Sequence, residues 1–425
     1  DVHSYAVDLD VDVAARRLQA DVTISAVASQ PLAAFNLDME GFDIVSLEVD
    51  GQPAQTSRLA GELQIAPADP IGQGEAFTVH VSYAGSPGGL QADGLLPFAL
   101  GWQFFDGGAY VASEPDGTSR WLPSNDHPLD KATYVLRVTV DEPYDAACNG
   151  LRSETTAPEG RRTFVCEMPQ PMATYLATVV IADLELEHAG TAAGVPIRNY
   201  FPADMPRTAR QEFDRTGEML EYFTSILGAY PFDAYGVVVA PIELPFALET
   251  QTLTLFGIAD HYDEGTIAHE LAHQWFGNSI SLSRWQDIWL NEGFATYASL
   301  LWFEHRFGAE PVDTEIHAMY RVLMDSNDGQ TMRIGAPPAD DLFNRAVYWR
   351  GAMTLHALRQ EVGDPLFFQI LRTYVERFRY GNATTDDFIA LVQEISARDL
   401  RALFDAWLFQ EKVPFMPGWG AEPGF

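Results

Sequence analysis

Hydrophobic and polar residues alternate along short stretches of the first two hundred positions. Residues 5–11, 18–26, 42–49, 77–83, 134–140 and 175–181 carry the two-residue period of a strand with one buried face, and turn residues separate them. From about Phe201 the apolar positions recur at three and four residues instead. Residues 210–227, 267–276, 294–307, 346–362 and 365–378 therefore predict helices. Between the first two of these lie 236–241 and 252–257, short apolar runs that predict a small sheet. The pattern describes an α+β chain in two domains: a β domain over 1–200 and a mainly helical domain over 201–425. Residues 158–160 and 325–329 read as turns and 414–425 as an irregular tail.

Composition narrows the class without changing this division. A length of 425 residues exceeds what one core usually serves, and 47% hydrophobic against 20% charged content is that of a globular chain. With 26 basic and 60 acidic residues the formal charge is −34, which excludes a phosphate-backbone partner and leaves no nucleic-acid function to seek. No run of 18 apolar residues occurs, so no transmembrane helix is expected. Cys148 and Cys166 stand between segments that read as paired strands. A disulfide there would favour an exported protein, with two buried thiols as the alternative. The chain begins at Asp1 without methionine, so a removed leader is compatible with it.

Candidate chemistry concentrates in His269-Glu270-Leu271-Ala272-His273. On a helix, side chains four apart share a face with Cβ atoms about 5–6 Å apart, so both imidazoles reach one ion. Zinc takes imidazole nitrogen and carboxylate oxygen, and its catalytic sites use three protein ligands with the fourth position open. Glu292, at the start of the next predicted helix, completes the count with His269 and His273 for one Zn2+ ion. Glu270 points away from the ligand direction and is the candidate general base. Thr296 and Asp287 are both candidates to steady a ligand, and the pattern does not choose between them.

Taken together, these residues resemble the aminopeptidase N family of gluzincin zinc peptidases, in which an H-E-x-x-H motif is followed by a glutamate in an N-E-G-F-A-like run; here that run is Asn291 to Ala295. The likeness extends to the stretch from Trp121 to Pro128, similar to the family's F-P-C-x-D-E-P-like segment, and to Phe246-Ala247-Leu248-Glu249-Thr250, similar to its G-A-M-E-N motif. The resemblance implies a saddle-like antiparallel β domain followed by a thermolysin-like catalytic domain. It implies hydrolysis that releases N-terminal residues from peptides with a free amine. It assigns that amine to Glu249 and Glu114, with Ala247 on the substrate strand, and the oxyanion to Tyr348 in a Y-x-K-G-A-like run. Phe246 and Thr250 depart from the amine motif, and Ala112 stands where many relatives have glutamine. The chain also ends at Phe425, so a short form without the large helical C-terminal domain is expected. A zinc endopeptidase with an open cleft and a non-catalytic peptide-binding module remain the alternative readings. The oligomeric state is left open.

Overall fold

The computed structural model describes residues 1–59, 61–87, 98–156, 160–325, 332–416 and 419. Most of the two turns expected at 158–160 and 325–329, and the end of the tail, lie outside the described residues. The contacts divide the chain into two compact units. One holds residues 1–190, 195–210 and 232–260, and the other 191–194, 211–231 and 261–425.

The first unit is β-rich. Its largest sheet has eight strands in the order Leu151–Thr156, Arg162–Met172, Ala132–Val140, Val2–Asp12, Arg17–Val27, Ala76–Gly85, Asp43–Val49 and Gln52–Pro53. Val2–Asp12 runs parallel to Ala132–Val140, and the other pairs are antiparallel. The alternation seen in the sequence is the pleat: Tyr5, Val7, Leu9 and Val11 are buried while Asp8, Asp10 and Asp12 face out. A four-stranded sheet orders Asp145–Cys148, Val179–Ala182, Gly108–Ala112 and Gly101–Phe105. The segment 175–181, expected as one strand, divides into a 3-10 turn at Thr174–Leu176 and the strand Val179–Ala182. Cys148 and Cys166 are joined by a disulfide with their Cα atoms 6.0 Å apart. Val237–Ala240 and Thr254–Gly257, the short apolar runs, pair in parallel with each other in a four-stranded sheet that also holds Leu184–Ala192 and Val195–Pro202. All their residues are buried, which is why they lack alternation.

The second unit is built from α1 (Thr216–Leu227), α2 (Glu264–Ala272), α3 (Trp289–Phe307), α4 (Ala309–Asp325), α5 (Arg345–Val362), α6 (Asp364–Phe378) and α7 (Thr385–Ser396). The helix expected from residue 210 begins only at Thr216, after a 3-10 turn at Gln211–Phe213. Phe276, Phe294, Tyr374 and Phe388 form one aromatic core, with ring centroids 4.8 Å apart for Phe276 and Phe294 and 5.0 Å for Phe294 and Phe388. Burying each such ring stabilises the fold by about 1.5–3 kcal/mol. α3 and α5 cross at their glycines: a Cβ on Gly293 would lie 2.7 Å from the Gly351 Cα. This backbone-to-backbone approach sets the first turns of α3 close beside the first turns of α5. No described helix is long and apolar enough to cross a membrane.

Candidate zinc site and a pair of buried carboxylates

α2 begins cleanly because Asp263 caps it, its carboxylate accepting the Thr266 N–H at 2.9 Å. One turn before the end of α2 stands His269, and His273 is the C-cap residue, still in helical conformation. Their Nε2 atoms lie 3.0 Å apart. Glu292, on the first turn of α3, brings Oε2 to 3.2 Å from His269 Nε2 and 3.5 Å from His273 Nε2. An ion held tetrahedrally by bonds of about 2.0–2.1 Å separates its ligands by about 3.3 Å. The three spacings bracket that value, and two imidazoles with a carboxylate are zinc's donor set, so these residues fit the metal that the sequence implies.

Protonation states agree with the same use. The His273 Nδ1–H donates to the Phe276 carbonyl at 3.0 Å, which fixes the tautomer and turns the Nε2 lone pair toward the cluster. Gly277, at φ +119°, makes the turn that presents this carbonyl; a Cβ there would come within 3.1 Å of Asn291 Nδ2. Burial lowers the His269 pKa and keeps its imidazole neutral at pH 7, the form that ligates metals. Burial alone would raise the Glu292 carboxyl, yet His273 and His269 facing it hold it well below the usual carboxylate range.

Of the two candidate steadying residues, Thr296 is the one near a ligand, with Oγ1 3.5 Å from His269 Nδ1. Asp287 is buried elsewhere, accepting from Arg284 Nε at 2.8 Å and from the Thr385 hydroxyl at 2.6 Å. The Phe276 carbonyl, the better partner, is backbone and left no trace in residue type.

Glu270 is buried beside the cluster, and Tyr348 sits half-buried on α5 with its ring 6.0 Å from that of His269. Both line a cavity of about 800 Å³ within the helical unit, together with His269, Thr296, Leu300 and Phe303. Asn344 caps α5 through the Ala346 N–H at 2.9 Å, so Tyr348 stands on a well-anchored first turn.

In the β-rich unit, Glu114 and Glu249 are both buried, 7% and 3% exposed, and bring carboxylate oxygens within 4.8 Å of one another. Glu249 follows a bridge in which Leu248 and Leu255 exchange both backbone hydrogen bonds, at 2.9 and 2.8 Å. Ala247, the other substrate candidate, is half-buried two residues earlier. Two buried carboxylates this close favour a shared cation.

Comparison with known proteins decides the family. The description of the peptidase M1 N-terminal domain matches residues 2–176 and that of the peptidase family M1 domain matches 212–407. A crystal structure of a two-domain M1 zinc metallopeptidase variant bound to L-tryptophan superposes with a TM-score of 0.91 at 33% identity, covering 100% of this chain and 96% of that one. The chain belongs to peptidase family M1. Another M1 structure, from Deinococcus radiodurans with a Tyr-Ser-Ala substrate bound, matches with a TM-score of 0.90 at 33% identity over 100% of this chain and 96% of that one. Longer M1 relatives include the mitochondrial aminopeptidase 2 of Saccharomyces cerevisiae, 26% identical over 72% of this chain and 34% of its own length. The glutamyl aminopeptidase of Bitis rhinoceros is 25% identical over 72% of this chain and 35% of its own. The chain thus spans about a third of the length of these two relatives.

Proposed function

We propose that this M1 chain is a zinc aminopeptidase that removes N-terminal residues from peptides with a free amine. The observation carrying this is the convergence of His269, His273 and Glu292 at ligand spacing with Glu270 buried beside them. The M1 structures with an amino acid or a tripeptide bound support the substrate class. His269, His273 and Glu292 would hold one zinc ion, which when bound polarises the scissile carbonyl and acidifies water.

Glu270 accepts the proton of the attacking water and passes it to the leaving nitrogen. Its place next to His269 in the chain, one step round the helix from the ligand face, suits a group that must reach the water and not the metal. The Tyr348 hydroxyl donates to the developing oxyanion, where a rigid donor is worth more than a mobile one. Glu249 and Glu114 accept from the substrate's ammonium, and a buried anionic pair of this kind rejects an N-acetylated chain that brings no charge to it. An endopeptidase has no use for such a pair.

Changing Glu270 to Gln keeps the shape and removes the base. Hydrolysis of aminoacyl arylamides is expected to fall by about 10²–10⁴-fold with zinc content retained. Full activity in that variant, or equal hydrolysis of N-acetylated and free peptides by the unaltered enzyme, would overturn the assignment.

A further inference from the structure

Glu114 and Glu249 lie on separate segments of the β-rich unit, and ammonium binding by both requires their spacing to be held. Neither carboxylate is on a regular strand: Glu114 comes two residues after the strand Gly108–Ala112, and Glu249 follows the isolated Leu248 bridge. Something else must tie the two segments together.

One side chain links them, directly on the Glu249 side and through Thr178 on the Glu114 side. Asn149, 1% exposed, donates through Nδ2 to the Gln251 carbonyl at 2.8 Å and to the Leu176 carbonyl at 2.9 Å. Its Oδ1 accepts the Thr178 N–H at 2.7 Å. The Thr178 hydroxyl in turn donates to the Val111 carbonyl at 2.9 Å, three residues before Glu114. The neighbouring Gly150 N–H donates to Thr252 Oγ1 at 2.8 Å, holding Thr252 in its left-handed conformation at φ +67°. Gly150 admits no other residue, because a Cβ there would meet the Glu167 carbonyl oxygen at 2.0 Å. The corner is anchored from behind by the Cys148–Cys166 disulfide.

We infer that Asn149, with Gly150, is a positioning residue for amine recognition: it fixes the segment carrying Glu249 against the segment carrying Glu114 and so sets the distance between the two carboxylates. This rests on the aminopeptidase reading above. Both Nδ2 hydrogens are used and the acceptor is used, so the amide is over-determined in one orientation and transmits position rather than merely filling space. Buried polar side chains are seldom placed where an apolar one would pack, unless their bonds define a geometry.

The test compares two competitive inhibitors, an aminoacyl hydroxamate and its N-acetylated counterpart, which differ only in the amine. In the unaltered enzyme the free amine is expected to bind at least tenfold more tightly. In the near-isosteric Asn149→Asp variant, which loses both donors, that preference should shrink by about tenfold, since a misplacement near 1 Å can cost that much or more. KM for aminoacyl arylamides should rise with it, more than kcat falls. Thr252→Val, which removes the acceptor for Gly150, should move the preference the same way by a smaller factor, and it reads the inference even where Asn149→Asp fails to fold. An unchanged ratio between the inhibitors, or an equal weakening of both, overturns the inference. If the unaltered enzyme itself shows no preference for the amine, the aminopeptidase reading fails, and this inference fails with it.

Discussion

Two places in the helical unit gather electron-rich atoms around one point, and they solve the same electrostatic problem differently. At the candidate zinc site, two imidazole nitrogens and a carboxylate oxygen converge within 3.5 Å of one another. Two residues along α5 from Tyr348, Arg350 is fully buried and its guanidinium donates to six carbonyls, those of Met332, Ala406, Trp407, Gln410, Glu411 and Lys412, at 2.6–3.2 Å. Five of these carbonyls belong to the chain that runs through and past the π-turn Asp405–Phe409, where regular helical pairing is lost, and the sixth, that of Met332, comes from a separate segment. In the second place the cation is covalent. It fills its cavity, satisfies every acceptor and leaves no open position, so it organises structure and does no chemistry. In the first place the cation comes from solution, and a site with only three protein donors keeps a position for a reactant.

The sharpest way to break this contrast is to remove the built-in cation. Arg350→Met leaves several buried carbonyls without donors, and is expected to destabilise the helical unit by about 3–5 kcal/mol, read by urea denaturation. Burial lowers the Arg350 pKa only to about 10, so the charge is present at neutral pH and the loss should not vary between pH 6 and 8. Arg350→Lys should recover less than half, because one ammonium has three donors on a single atom and cannot span six carbonyls. Chelation at the other place should instead abolish activity reversibly, with zinc restoring it.

The two places differ as much in how far residue type announces them. His269 and His273 are legible because helical spacing converts sequence separation directly into a shared face, and Glu270 and Glu292 because few residue types serve zinc as ligand or base. Most strands of the large sheet are legible for the same reason, since a one-sided pleat alternates. Arg350 reads as an ordinary charged residue on a helix; its partners are backbone carbonyls, five of them 56–62 residues downstream and one 18 residues upstream, and backbone has no residue type. Asn149 and the Phe276 carbonyl are hidden likewise. Helix α4 has apolar residues at Val312, Ile316, Met319, Tyr320 and Leu323 and would be expected from them, but it is diluted by polar residues elsewhere in its span. α7 carries a capping box, Thr384 with Asp387, and buried Phe388, Leu391 and Val392 at helical spacing.

A smaller effect sharpens what joins the two places. Gly293 follows Glu292 and Gly351 follows Arg350, and the two glycines touch where α3 crosses α5. Gly293→Ala would set a Cβ 2.7 Å from the Gly351 Cα, against backbone that cannot rotate away. The helices must separate, at a cost of about 1–3 kcal/mol in stability. The same separation carries Glu292 off the histidines, so zinc affinity should fall along with the melting temperature. Gly351→Ala, with its Cβ 2.8 Å from the Gly293 Cα, should reproduce both changes. A variant that lost stability yet bound zinc as before would show that the crossing does not position the site.

The smallest expected effect distinguishes the two histidines. His273 is oriented by a backbone carbonyl at 3.0 Å, beyond the reach of any side-chain substitution, whereas His269 has the Thr296 hydroxyl at 3.5 Å, the outer limit of a hydrogen bond. Losing an orienting partner of a zinc-bound histidine usually lowers affinity by about 10–100-fold. A contact this long belongs at the lower end, so Thr296→Val is expected to weaken zinc binding about tenfold in a competition titration, and Thr296→Ser, which keeps the hydroxyl, by less. A loss in the serine variant with none in the valine variant would mean that the methyl group, and not the hydroxyl, holds His269 in place.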